Sequence, residues 1–297
     1  MKNTGISDGL QGKPGIALPA GFDADMEETV RDARAAGFET ASLVWKYKDR
    51  ASLARDADAV RREGMTVTSV HGPFTSVPGN RRGINAIWDE GEAGERYTQI
   101  LIDCVEDAAA AQIPIVVLHP NLGNTLSPAS PLGTKRFGRV GECAASLGVR
   151  LAVETMEFAS HLRAIVNCLP PEVFGICWDA GHSQAYTPEE DYLKEFAHRI
   201  LAVHLHDNDG KRTTGLPDTR DDSHYLPFDG VRDWESAMIA LARAGYRGPL
   251  TLEVKRGRDC CDQKEEYARM GQRAFFEEAY RRARRLESMF RGEYSPR

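Results

Sequence analysis

The feature that most constrains the fold is a repeated alternation between short apolar segments and segments with helical spacing of apolar residues. Eight apolar segments of five or six residues recur along the chain of 297 residues, and as a set they lack the polar alternation of half-exposed strands. The predicted strands are residues 15–19, 41–45, 65–70, 113–118, 149–153, 173–178, 200–205 and 250–254.

Predicted helices separate these strands, and Gly37, Gly148 and Gly245 end three of them. The predicted helices are residues 26–36, 51–62, 95–111, 135–147, 159–168, 188–198 (with Thr187 as N-cap), 234–244 and 262–290. Such alternation is typical of parallel βαβ units with right-handed crossovers, and eight units close a (β/α)8 barrel. No linker or change of composition interrupts the pattern, so the sequence predicts an α/β TIM barrel, a single domain over residues 1–297.

Composition narrows the function classes. The formal net charge is −6, whereas a nucleic-acid partner usually requires a basic face, so nucleic acid is not the expected partner. No apolar run approaches the roughly 20 residues of a membrane span, and residues 1–13 contain no apolar signal segment. We therefore expect a cytoplasmic protein without a membrane partner, with its six cysteines reduced. The oligomeric state stays open, a homo-oligomer included.

Side chains that can bind metal stand where the apolar segments end. In a (β/α)8 barrel the active site lies at the C-terminal ends of the strands. Six of the eight histidines and four carboxylates fall there: His71, His119, His182, His204, His206, His224, Glu154, Asp179, Asp222 and Glu253. Carboxylates packed this densely repel one another, and a bound divalent cation relieves that repulsion. The pattern therefore predicts a metal site at this rim.

Four of these residues follow consecutive predicted strands, five to eight, and are the first candidates for metal ligands: Glu154, Asp179, His204 and Glu253. Three carboxylates and one imidazole form an oxygen-rich set, which suits Mn, Mg or Co and also accepts Zn. The alternative for each carboxylate is a buried ion pair, but few basic residues stand near the strand ends.

Seven short motifs carry a family resemblance that covers essentially the whole chain. They are His71-Gly-Pro-Phe, His119-Pro, Ala-Val-Glu154, Asp179-Ala-Gly-His182, His204-Leu-His-Asp207, Asp222-Ser-His224 and Leu-Glu253. Together they resemble the xylose-isomerase-like TIM-barrel superfamily, which includes sugar (phosphate) isomerases and epimerases and the endonuclease IV group.

The epimerase branch of that superfamily implies a mechanism. Its single divalent metal is held by residues that match the four candidate ligands, and the residues matching Glu154 and Glu253 transfer a substrate proton through an enediolate. His182 would hydrogen-bond a substrate oxygen. The resemblance thus implies a metal-dependent isomerase or epimerase that acts on a small carbohydrate or a sugar derivative.

The endonuclease IV branch implies an alternative, a trinuclear zinc phosphodiesterase. Its nine ligands all have matching residue types here, because His71, His119, His182, Asp222 and His224 add to the first four. The acidic chain and the lack of a basic stripe in the loops weigh against DNA. A metal-dependent lyase or dehydratase on the same scaffold also stays open, as does a binding module without activity if the carboxylates hold no metal.

Candidate substrate contacts come from residues that flank the strand ends. Trp45 and Phe74 follow strands and could line a pocket, and His71 and His119 are further candidates. The family's substrate-binding arginine, six residues after the metal histidine, falls here on Gly210, which leaves the neighbours Lys211 and Arg212 to replace it.

The segment after the seventh strand carries two further polar side chains whose direction can be predicted. His206 is expected to point to the side opposite His204. Asp207 is expected to be a structural acid that orients a neighbouring group.

Overall fold

The computed structural model describes residues 8–19, 21, 25–77, 80–124, 126–212, 218–256 and 264–294. Eight parallel strands form a nearly closed barrel in the order β7-β6-β5-β4-β3-β2-β1-β8. They are β1 Pro14–Ala17, β2 Thr40–Val44, β3 Thr66–His71, β4 Ile115–Leu118, β5 Arg150–Glu154, β6 Phe174–Asp179, β7 Ile200–His204 and β8 Leu250–Leu252. The predicted (β/α)8 fold is confirmed, and each strand boundary lies within two residues of its prediction.

Backbone pairing is sparsest where β7 and β8 meet, and we call this junction the seam. The two strands meet at an isolated bridge between Leu205 and Leu252. Leu205 N donates to Thr251 O at 2.9 Å, and Glu253 N donates to Leu205 O at 3.1 Å. All other neighbouring strands pair through at least two residue pairs, with a shift of register in the β2–β3 and β6–β7 ladders.

Ten helices surround the strands within the described ranges. They are α1 Met26–Ala36, α2 Ser52–Arg62, α3 Glu92–Ala110, α4 Pro131–Leu147, α5 Ala159–Val166, α6 Ala180–Ala185, α7 Tyr192–Glu195, α8 Trp234–Arg243, α9 Glu265–Arg269 and α10 Gln272–Phe290. Local capping defines their ends: Ser130 accepts a hydrogen bond from Gly133 N before α4, and Gly148 adopts a left-handed conformation after it. None of the described helices has the length and apolarity needed to cross a membrane.

Two predicted helices were wrong in extent. The helix expected at residues 188–198 is helical only in α7, because Asp191 rather than Thr187 caps it by accepting from Lys194 N. Thr187 instead accepts a hydrogen bond from the hydroxyl of Tyr192. The expected helix at 262–290 is divided into α9 and α10 by Met270 and Gly271, and residues 262 and 263 lie outside the described ranges.

Apolar packing fills the barrel and the layer between the strands and the helices. The barrel interior holds a small cluster of Ile115, Val117, Ala152, Cys177, Leu201 and Ala202. A larger cluster lies between the sheet and the helices. The four described cysteines are free thiols, and Cys260 and Cys261 lie outside the described residues. This packing fixes the strand ends, and with them the side chains at the rim.

Candidate metal and substrate site

Four candidate ligands meet at the C-terminal rim, and we call them the glutamate group: Glu154, Asp179, His204 and Glu253. One ligand atom from each lies within 4.8 Å of the others. The Nδ1 atom of His204 lies 2.7 Å from Glu154 Oε1, 3.3 Å from Glu253 Oε2 and 3.9 Å from Asp179 Oδ2. Three carboxylates from three different strand ends therefore converge on one imidazole nitrogen.

Charge within the glutamate group shifts the pKa values of its members in opposite directions. Burial opposes ionisation of Glu154, but the charge of His204 and the hydrogen bonds from His119 and His204 outweigh it and hold the Glu154 pKa well below its ordinary value. Burial likewise favours neutral His204, but its acidic neighbours, Glu253 and Glu154 among them, raise the His204 pKa well above its ordinary value. In the metal-free protein a proton on His204 thus partly neutralises the carboxylates.

The donor chemistry of the glutamate group fits a divalent cation. Within the described part of the chain, no lysine or arginine forms an ion pair with Glu154, Asp179 or Glu253, whose ion-pair partners are histidines. Among the described residues, the ion-pair alternative for these carboxylates therefore finds no lysine or arginine partner. Three oxygen donors and one nitrogen donor form a set that Mn, Mg, Co or Zn can accept.

Glu154 is shared with a second set of donors. Its Oε1 atom faces His204, whereas its Oε2 atom lies 3.1 Å from His71 Nε2 and 3.0 Å from His119 Nε2. His71, His119 and Glu154 also form a compact donor set of their own. Burial lowers the pKa of His119 despite the nearby carboxylate of Glu154, so this imidazole tends to be neutral.

Four further residues make a nitrogen-rich cluster, which we call the histidine group: His182, His206, Asp222 and His224. All four are buried. Asp222 Oδ2 lies 3.1 Å from His224 Nε2 and 3.5 Å from His182 Nε2, and Asp222 Oδ1 lies 3.7 Å from His206 Nε2. Three imidazoles and one carboxylate suit zinc better than magnesium or calcium.

Backbone carbonyls set the orientation of three histidines at the rim. The Nδ1 atoms of His71, His182 and His224 lie 2.9, 3.1 and 2.6 Å from the carbonyl oxygens of Gly72, Thr155 and Glu253. A carbonyl oxygen only accepts, so each Nδ1 carries a proton. In the neutral ring, Nε2 then keeps its lone pair, which faces the carboxylates and can bind a metal ion. This arrangement is typical of histidines that bind metal.

The predicted direction of His206 was wrong. Its Nε2 atom lies 3.0 Å from Asp179 Oδ1, and its ring stacks on His224 at a centroid distance of 3.8 Å. Side chains two residues apart on an extended strand lie on the same face, so continued alternation places His206 on the side of His204 and not opposite it. The spacing His-x-His after an apolar strand was therefore the sequence signal for this position.

Gly181 leaves the space that His206 occupies. A Cβ atom at Gly181 would lie 1.9 Å from His206 Cε1, which is far inside van der Waals contact. Asp207 has the structural role expected of it: its carboxylate accepts hydrogen bonds from Trp234 Nε1 at 2.8 Å and from Phe228 N at 3.0 Å. It therefore holds the segment between β7 and α8.

A cavity of about 330 Å³ lies above these donors. Its floor includes Glu154, Glu253 and Asp222 together with four histidines, His71, His119, His182 and His224. Apolar side chains and two lysines form the rest of the lining: Ala17, Leu18, Pro19, Val44, Phe74, Leu122, Met156, Tyr186, Val254, Lys46 and Lys255. The cavity has the size and mixed polarity of a small-molecule site.

Some of the residues predicted to contact the substrate line the cavity, and others do not. Phe74 lines it, with its ring stacked on His119 at 4.3 Å. Trp45 does not line it, because its indole donates to Asp107 Oδ2 at 2.8 Å on the outside of the barrel. Neither Lys211 nor Arg212 lines it. Both are exposed, and Arg212 Nε donates to Asp221 Oδ1 at 3.3 Å within its own loop.

Ten of the eighteen lining residues were not predicted from the sequence, among them Lys46, Lys255, Met156 and Tyr186. These four follow the end of a strand by two to seven residues, but nothing in the local sequence distinguishes them from other loop residues. Lys255 is close enough for its charge to act on His224. Burial mainly lowers the pKa of His224, to about 4, and the positive charges of His206 and Lys255 add to the effect.

Comparison with known proteins identifies the family and leaves the activity open. The model of the xylose isomerase-like TIM-barrel family matches residues 30–278. The uncharacterized protein y4fM of Sinorhizobium fredii is 28% identical over 58% of this chain and 57% of its own length. The uncharacterized protein MJ1311 of Methanocaldococcus jannaschii is 26% identical over 66% of this chain and 67% of its own length. This chain thus spans little more than half of the first relative.

Solved structures share the fold at low sequence identity. A xylose isomerase domain protein from Planctomyces limnophilus has a TM-score of 0.68 and 15% identity, over 95% of this chain and 99% of that chain. L-ribulose 3-epimerase has a TM-score of 0.67 and 16% identity, over 96% of this chain and 99% of that chain. Identities this low show a common fold and do not transfer a substrate.

Proposed function

Because the chain belongs to the xylose isomerase-like TIM-barrel family, we propose that it is a divalent-metal-dependent isomerase or epimerase of a sugar or sugar derivative. The observation that carries the proposal is the pair of carboxylates, Glu154 and Glu253, which both line the cavity and both belong to the glutamate group. The fold that this chain shares with L-ribulose 3-epimerase supports it.

The glutamate group would hold the cation, with Glu154, Asp179, His204 and Glu253 as ligands. When bound there, a divalent cation would polarise a substrate carbonyl and acidify the neighbouring C–H bond. The chain's own contribution is the placement of two carboxylates beside that C–H bond. The neighbouring histidines keep the pKa of both Glu154 and Glu253 well below the ordinary value against the opposing effect of burial, so both can accept a proton.

The two glutamates divide the proton transfer between them. One carboxylate removes the carbon-bound proton, and the other returns a proton to the opposite face or to the neighbouring carbon. Return to the opposite face inverts a stereocentre, and return to the neighbour moves the carbonyl. The side chain of Glu253 is 16% exposed, whereas that of Glu154 is 0% exposed, so Glu253 is the more accessible from the cavity.

Other lining residues bind the substrate and restrict water. His182 presents Nε2 to the cavity floor and is placed to hydrogen-bond a substrate oxygen. Phe74, Leu122 and Met156 cover the apolar wall and exclude water from the C–H bond during proton transfer.

Deuterium exchange tests the proposal. Purified protein with added Mn²⁺ is incubated in D₂O with a panel of ketoses, and incorporation at carbon is followed by NMR. We expect incorporation that chelator abolishes and that Glu253→Gln loses, while Glu39→Gln, at the opposite end of the barrel, retains it. Absence of exchange over the whole panel would overturn the proposal. A product that has lost water would instead favour a lyase or dehydratase.

The histidine group supports a second candidate, phosphodiester hydrolysis by three metal ions. Glu154 bridges two donor sets, and the histidine group supplies a third. Elemental analysis separates the two candidates: one ion per chain favours the isomerase or epimerase, and three favour hydrolysis. Nicking of a duplex that contains an abasic site, at low protein concentration, would establish the second candidate over the first.

A further inference from the structure

Two lysines enter the cavity from one side of its mouth. Lys46 follows β2 and Lys255 follows β8, and β1 lies between these strands in the sheet. Leu122, Met156 and Tyr186 follow β4, β5 and β6 and line the cavity as well. Basic side chains are therefore concentrated on the β1 side, apart from the donor groups on the floor.

The two lysines differ in how their charge is balanced. The Lys46 ammonium lies 3.2 Å from Asp56 Oδ2, so a carboxylate of α2 already pairs with it. No carboxylate in the described ranges lies within ion-pair distance of the Lys255 ammonium. The Lys255 backbone is fixed by a hydrogen bond from its N to His224 O at 3.2 Å. A half-buried lysine without an anionic partner among the described residues is an available site for a ligand anion.

We propose that the substrate carries an anionic group, a phosphate or a carboxylate, which binds Lys255 on the β1 side of the cavity. Lys46 makes a weaker second contact, because Asp56 competes for its charge. The inference rests on the proposed function and adds the charge of the substrate to it. With its anionic end at Lys255, the substrate directs its reacting carbons toward Glu154 and Glu253 on the floor.

Binding of unreactive analogues tests the proposal without turnover. Alditols have no carbonyl group, so glucitol 6-phosphate and glucitol differ in charge and cannot react by enolisation. By calorimetry we expect the phosphate ester to bind at least tenfold more tightly than the neutral alditol. Gluconate, which presents a carboxylate, shows which of the two anions the site prefers. Equal affinity for the charged and neutral ligands would overturn the proposal.

Variants assign the anion to Lys255. Lys255→Met should weaken binding of glucitol 6-phosphate about tenfold, and Lys255→Arg should retain it because the charge remains. Lys46→Met should have a smaller effect. Lys135→Met, an exposed lysine of α4, is the matched control and should have none. Unchanged phosphate affinity in Lys255→Met would assign the anion to the donor groups on the floor and overturn the proposal.

The outcomes separate this proposal from the proposed function. If no sugar exchanges deuterium but phosphate binding depends on Lys255, the proposed isomerase or epimerase activity is wrong and the proposed anion site is supported. If neutral ketoses and their phosphate esters exchange deuterium at equal rates, and Lys255→Met changes neither rate, the proposed activity is supported and the proposed anion site is wrong.

Discussion

The glutamate group and the histidine group lie side by side at the rim, but the fold places them in different ways. Three members of the glutamate group are the last residues of β5, β6 and β7, and Glu253 directly follows β8. Backbone pairing of the strands therefore fixes where their side chains start. The histidine group comes from α6 and from the segment between β7 and α8, where His224 has a φ of 47°.

This difference has a chemical counterpart. The strand-borne set is rich in oxygen and suits a cation that activates a carbon acid, whereas the loop-borne set is rich in imidazole nitrogen and suits zinc. The two groups are in direct contact, since Asp179 Oδ1 lies 3.0 Å from His206 Nε2. The positions of the glutamate group thus follow from the barrel strands alone, whereas those of the histidine group depend on contacts made outside the strands.

The largest expected effect separates the two groups by activity. Glu253→Gln removes a proton-transfer group and should lower deuterium exchange by about 10²- to 10⁴-fold. Asp222→Asn alters the histidine group and leaves both glutamates in place, so it should lower exchange by less than about tenfold. Initial rates measured at saturating Mn²⁺ provide the ratio. An equal loss of exchange rate in both variants would contradict the separate roles of the two groups, because the histidine group would then take part in the chemistry.

Gly181→Ala should weaken zinc binding by the histidine group, because the added Cβ displaces His206. We expect a loss of affinity on the order of 10- to 100-fold there and little change at the glutamate group. Calorimetric titration with Zn²⁺ and Mn²⁺ measures both. Gly138→Ala in α4 is the control, since its nearest contact would be Leu169 Cδ2 at 3.5 Å. Unchanged zinc affinity in Gly181→Ala would show that His206 is not a ligand.

Acid should weaken metal binding at both groups, because each contains one histidine that holds a proton tightly. Burial opposes the charged form of His182, but Asp179 and Asp222 raise its pKa well above the ordinary value, as the neighbouring acids do for His204. A proton must leave before the cation binds, so affinity rises with pH by up to about tenfold per pH unit per proton. The raised pKa values extend this rise beyond about 6.5, where an ordinary histidine would already be neutral. Titrations in buffers from pH 6 to 9 test this, and a flat profile contradicts it.

The smallest effect on activity is expected at a rim aromatic that contacts neither group. Trp45→Phe removes the hydrogen bond to Asp107 and should cost about 1 kcal/mol of unfolding free energy, measured with denaturant. Deuterium exchange should stay within about twofold of wild type. A larger loss of exchange would mean that rim packing alone perturbs the site, and the Asp222→Asn result could then not be assigned to the histidine group.

The sequence predicts the glutamate group well for a physical reason. An apolar run marks a buried parallel strand, and in a barrel the first polar residue after each run must lie at the common rim. Glu154, Asp179 and His204 follow from this rule without knowledge of any loop.

The remaining residues depend on contacts that local sequence does not encode. Lys255 lines the cavity because of the path of the chain after β8, which the local sequence does not specify. Trp45 follows a strand end as Phe74 does, but a distant carboxylate on α3 fixes its indole. The expected helix at 188–198 was shortened by a competing cap at Asp191.

Because backbone pairing across the seam between β7 and β8 is sparse, metal binding by the glutamate group would also affect folding. His204 ends β7 and Glu253 follows β8, so two of its four ligands stand on opposite sides of the seam. A cation bound by both would join β7 to β8, between which the backbone supplies two hydrogen bonds within the described residues. Amide hydrogens at Leu205 and Glu253 would then exchange slowly with solvent only after the ion binds, and barrel closure becomes a step that the ligand completes.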